Sequence, residues 1–133
     1  MEEVMFENKY KVGIPNKNKT ILTEECLKSM SEQVAKAYNE GNPKKLTIST
    51  PEDYNDCFTV KPQDIIADVK VFEPDYTIVE VKDCKKELLD ELINYGYSPG
   101  YRMSCKVDIV NENGTRVVKD PRLICFDMIN NRA

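Results

Sequence analysis

Apolar residues in this chain switch between a two-residue and a helical rhythm, and the switches mark its elements. Phe6, Tyr10 and Val12 fall on even positions with polar residues between most of them, which predicts a strand over 5–12. Residues 13–19, rich in Gly, Pro and Asn, form a loop. Thr23 then stands as an N-cap, with Glu24 and Glu25 on the first turn and Leu22 and Leu27 placed as a hydrophobic staple. Leu27, Met30, Val34 and Ala37/Tyr38 make the helical stripe, and Gly41 ends it. A short strand over 45–50 follows, cut off by Pro51, and residues 52–62 form a loop able to pack inward through Tyr54, Cys57 and Phe58.

The second half repeats the strand–helix–strand logic. Residues 64–72 and 76–81 are dense in β-branched side chains and flank Glu73-Pro74-Asp75, a hairpin. Asp83 caps a second helix reaching Tyr95, with Leu88, Leu89, Leu92 and Ile93 as its stripe and Gly96 as its stop. Residues 97–100 read as a turn. Strands over 101–110 and 115–128 are joined by Asn111-Glu112-Asn113-Gly114, where the Asn-Gly pair signals a hairpin, and Pro121 marks an edge or a bulge. The order β-α-β-ββ-α-ββ predicts an α+β fold: a small antiparallel, partly closed barrel of five to six strands with two flanking helices. A flatter sheet with both helices on one face is the alternative.

Length and charge narrow the function classes. The 133 residues suit a single domain over 1–133. A net charge of −4 and scattered lysines argue against a dedicated nucleic-acid binder. Residues 1–6 carry two glutamates and no apolar signal region, and the apolar runs are too short for a membrane span. Five widely spaced cysteines, no C-x-x-C pair and no histidine argue against a structural zinc and for a reducing compartment. No metal and no cofactor is expected.

The residues that carry chemistry form no recognisable set. Ser49, Ser98 and Ser104 lack a histidine base, and Lys44, Lys45 and Lys106 lie in charged surroundings that do not favour a neutral amine. Cys84, beside Lys82, Lys85 and Lys86 at a helix start, is the best-placed thiol, and a structural role suits it better. The adjacent pairs Glu24/Glu25 and Asp90/Glu91 point to different faces of a helix, and Glu52/Asp53 is another such pair. A binding surface stays open. Tyr95, Tyr97 and Tyr101 cluster with Arg102 around Gly96, Pro99 and Gly100, and aromatics on a turn either anchor a partner or fill a core rim.

This organisation resembles the tailed-phage prohead core proteases of the myovirus type. The resemblance runs through the loop Ile14-Pro15-Asn16-Lys17-Asn18, the helix start Thr23-Glu24-Glu25-Cys26-Leu27, a hairpin and the helix over 86–96. It ends on the closing strand Arg122-Leu123-Ile124-Cys125-Phe126-Asp127-Met128-Ile129. It covers 12–129 in the family's order. In that family a histidine precedes a proline after the first helix, where this chain has Thr50 before Pro51. The nucleophilic serine follows a glycine after the second helix, where this chain has Arg102 or Met103, with Ser104 displaced by one or two residues. The resemblance therefore implies a protease fold whose catalytic histidine and serine positions are lost. The chain is then expected not to be an enzyme, with no catalytic residues. It would act as a phage structural or assembly protein in the virion or host cytoplasm, contacting capsid or other virion proteins or itself through the sheet edge and the tyrosine turn. The alternative is a small phage-encoded inhibitor or sensor that binds a host protein or a small ligand.

Overall fold

The computed structural model describes residues 1–16, 18–48 and 58–130. Along it run β1 (Glu2–Glu7), β2 (Thr20–Ile21), α1 (Glu24–Asn39), β3 (Lys44–Thr47), a 3-10 turn (Pro62–Asp64) and β4 (Ile65–Phe72). Then come β5 (Tyr76–Val81), α2 (Asp83–Asn94), β6 (Tyr97–Ile109) and β7 (Arg116–Asn130). The expected α+β class and both helices are present.

The partly closed antiparallel barrel is corrected to an open, mixed sheet of seven strands. β1, β5, β4 and β3 form an antiparallel series, and β3 then pairs parallel with β7. The short β2, absent from the sequence expectation, also runs parallel to β7, against its first two residues. β6 pairs antiparallel with β7 along nearly its whole length. Since β6 occupies one side of β7, β2 and β3 share the other, and β1, β6 and the short β2 are left as edge strands. Closure would need a ladder between those edges, and among the described residues none exists.

Boundaries moved for local reasons. The first strand stops at Glu7 because Asn8 turns aside to clamp the β4–β5 turn. Its N–H reaches the Asp75 carbonyl at 2.8 Å, its amide donates to the Glu73 carbonyl at 2.8 Å, and its oxygen accepts from Thr77 at 3.0 Å. Tyr10 lies beyond the strand yet still packs on the core, its ring 5.9 Å from Phe72 and 5.8 Å from Tyr101. Residues 97–100 are the start of β6 rather than a turn, since Gly96, at φ +87°, completes the reversal alone. Asp83 is the first residue of α2 and not its cap; Lys82 occupies the cap position without a side-chain bond.

α1 behaves as its sequence implies. The Thr23 hydroxyl accepts from the Cys26 N–H at 3.1 Å, and Cys26, Leu27, Met30 and Val34 are its buried face. That face packs on β3, β4 and β7, meeting Leu46, Val69, Phe72 and Phe126 in one continuous core. Fully burying each such side chain contributes about 1.5–3 kcal/mol before entropy is subtracted. Gln33 also pins α1 to the bend in β7: its amide donates to the Pro121 carbonyl at 2.7 Å, and its oxygen accepts from the Leu123 N–H at 2.8 Å. Asp120 at φ 47°, followed by Pro121, makes that bend.

Candidate functional site

Where β3, β7 and β6 lie side by side, the sheet carries a buried polar cluster. Thr47 stands across from Asp127 in the parallel β3–β7 pairing, and Gly100 stands across from Asp127 on the other side. Arg102, two residues beyond Gly100, therefore shares the face of Asp127. Its guanidinium grips the carboxylate with both prongs, Nε to Oδ2 at 2.9 Å and Nη2 to Oδ1 at 2.6 Å. The two side chains are only 10% and 6% exposed, which makes this a desolvated, bidentate ion pair.

Neighbouring groups complete the cluster. The Thr47 hydroxyl donates to Asp127 Oδ1. Arg102 Nη1 donates to the Thr59 carbonyl at 3.0 Å, fastening the chain that leads to β4. Cys125 lies 3.9 Å from Asp127 Oδ1, and burial first, then the Asp127 charge, pushes its thiol up to about 12. Lys44 reaches from β3 to the Leu123 carbonyl at 3.0 Å. The opposite face of the same strands, with Leu46, Tyr101 and Phe126, belongs to the core.

Chemically, the cluster is a fixed ion pair holding three strands together. Arg102 keeps its charge at any working pH and lies against the Asp127 carboxylate. Thr47 is 1% exposed, so its hydroxyl does not face solvent. Among the described residues no group of three or more metal-ligating side chains forms. A separate depression of about 460 Å³ lies between the start of α1 and the bend of β7, lined by Thr23, Glu25, Cys26 and 117–121.

The four residues singled out from the sequence are placed differently from one another. Tyr95 is 68% exposed at the end of α2. Tyr97 and Tyr101 are half-buried and pack on the core, with burial raising the Tyr101 hydroxyl. Arg102 is in the ion pair. Thus Tyr101 and Arg102 lie on opposite faces of β6, and the four do not form one exposed patch. Ser98 and Ser104 stand across from Ile129 and Arg122 on β7. Cys84 is exposed in the first turn of α2. Ser49, Thr50, Glu52, Asp53, Tyr54, Cys57 and Lys17 lie outside the described residues.

Sequence reasoning missed Thr47, Lys44 and Asp127 as members of a site. One signal was available for Asp127, a lone charge inside the apolar run Leu123-Ile124-Cys125-Phe126-Asp127-Met128-Ile129, since a carboxylate in such a strand demands a partner.

No protein-family model and no curated protein matches the chain. A solved structure, that of the capsid assembly protease of bacteriophage T4, is similar to it. The TM-score is 0.66 at 17% sequence identity, over 97% of this chain and 82% of that one. The fold is prohead-protease-like. This outcome corrects the expectation that the chain is not an enzyme, because the structure that shares its fold is itself a protease. On this protease-like fold, Asp127 occupies the closing strand, one of the segments that carried the resemblance in the sequence, and Arg102 occupies the part of β6 where the sequence departs from it. No helix among the described residues is long and apolar enough to cross a membrane.

Proposed function

We propose that this chain works in phage capsid assembly, engaging capsid or other virion proteins directly. The observation that carries this reading is the backbone similarity to the T4 capsid assembly protease over 97% of the chain. Fold alone is a weak guide to function, so two features of this chain support it separately. Tyr95 stands out at the end of α2 as a rigid aromatic able to anchor a partner. The net charge of −4 leaves the chain able to approach basic surfaces of assembling partners without itself being a nucleic-acid binder.

In this reading Tyr95 contacts the partner, whereas Tyr97, Tyr101 and Arg102 hold β6 in place beneath it. The site of action is the virion or its assembly intermediates in the host cytoplasm. The test is co-purification of the tagged protein with capsid and scaffold proteins from infected cells. Enrichment of those proteins, weakened by Tyr95→Ala with the melting temperature unchanged, is the expected result. Early expression with no capsid protein bound would overturn the proposal and favour an inhibitor of a host protein. Incubating the same preparation with capsid and scaffold proteins reads out peptide cleavage directly.

A further inference from the structure

The outer half of β6 presents a bare edge. Residues 105–109 are all exposed, and among the described residues β6 has no ladder partner besides β7. Val107 is 43% and Ile109 70% exposed, an apolar pair of the kind that edge strands usually avoid. The pairing with β7 fixes which way each residue turns. Val110 donates its N–H to the Thr115 carbonyl at 2.9 Å. By the alternation of an antiparallel ladder, Asp108 and Lys106 also bond towards β7, and Val107 and Ile109 aim their N–H and C=O groups outward. Side chains alternate too. Val107 lies across from buried Val118, so Val107 and Ile109 share the core-side face. Lys106 and Asp108 share the other face, where Asp108 meets Lys119 at 2.5 Å.

We propose that a second copy of this chain adds to this edge, β6 against β6, antiparallel about a two-fold axis at Val107. In that register Val107 faces Val107 of the second copy, and their outward backbone groups bond each other. Lys106 faces Asp108 of the second copy and Asp108 faces Lys106, while Cys105 faces Ile109. One face of the joined ladder is then entirely apolar, and the other carries two opposite-charge pairs. A one-residue slip sets Val107 against Asp108 and aims outward backbone groups at inward ones, so the sequence selects this register. Lys106-Val107-Asp108 is its own complement under a two-fold axis, as an isologous interface requires. The inference rests on the edge itself and is independent of the capsid reading. The contact covers only a few residues per copy, less than the roughly 1,200 Å² of stable interfaces, so the association is weak.

Sedimentation velocity on the full chain, from micromolar to millimolar concentration, tests it. The wild type should move from monomer to dimer. Val107→Pro removes an outward N–H that β7 does not use, so it should leave the melting temperature close to wild type and weaken dimerisation at least tenfold. Lys106→Asp should do the same by opposing Asp108, and Lys106→Asp with Asp108→Lys should restore the dimer. Val107→Cys should form a disulfide with its own copy, mapped by mass spectrometry, because hydrogen-bonded antiparallel pairs sit about 5.5 Å apart at Cα, within disulfide range. A wild type that stays monomeric, a dimer indifferent to Val107→Pro, a double variant that is not rescued, or species that grow past the dimer would each overturn the proposal.

Discussion

Replacing Asp127 by Asn keeps the shape of the side chain and removes the charge that Arg102 was built against. The guanidinium, 10% exposed, then keeps its positive charge among β3, β6 and β7 without the carboxylate that gripped it at 2.6 and 2.9 Å. Breaking a buried pair from one side costs about 3–5 kcal/mol, because the remaining charge is left desolvated. That is a large share of the roughly 5–15 kcal/mol that separates folded from unfolded domains. At about 2.1 cal/mol/K of unfolding entropy per residue, the 133-residue chain should lose about 11–18 °C of Tm. Urea unfolding followed by circular dichroism measures the cost, and a four-member cycle with Arg102→Met and Asp127→Leu isolates the pair. The apolar double variant should recover most of the loss, since two well-packed apolar side chains leave no charge to solvate. A cost for Asp127→Asn below about 1 kcal/mol, the size typical of an exposed ion pair, would show that water already reaches the site and would refute the reasoning.

Other outcomes follow from the same structure. Burial lifts the Cys125 thiol from 9.0 to about 12 and raises Cys26 and Tyr101, so the folded chain holds protons that the unfolded chain releases. Stability should be full below the unfolded thiol value near pH 9 and fall as pH rises towards 12, by up to about 1.4 kcal/mol per unit for Cys125, as urea midpoints across alkaline pH would show. Thiol labelling at neutral pH should modify exposed Cys84 and Cys105 first and reach buried Cys26 and Cys125 only on unfolding, which peptide mapping would resolve. Gln33→Leu leaves the Pro121 carbonyl and the Leu123 N–H without their α1 partner and should cost about 1–3 kcal/mol by denaturation. Thr23→Ala removes the cap on the Cys26 N–H and should cost about 1 kcal/mol, read from the same curves.

Much of the local structure was legible in the residues themselves. Thr23, the Leu27/Met30/Val34 stripe and Gly41 set α1, and the β-branched runs around Glu73-Pro74-Asp75 set the β4–β5 hairpin. These signals act over a few neighbours, through side chain to backbone bonds, steric freedom and the rhythm of apolar positions. The same locality let residues 97–100 read as a turn, because Pro99 and Gly100 resemble one until β7 supplies the ladder across from them.

What the chain determined alone was its two helices, most of its strands, its absence of histidine and a partial likeness to a phage protease. What only tertiary structure decided was which strands meet. The two-residue β2, the parallel β3–β7 pairing and the open edges depend on contacts between segments far apart in sequence, and no local rhythm encodes those. The ion pair shows the reason most directly. Arg102 and Asp127 are 25 residues apart, and although the apolar run around Asp127 calls for a partner, nothing local points to Arg102 until β6 and β7 pair. Pairing in that register removes water from both, and a charge without water must find its opposite.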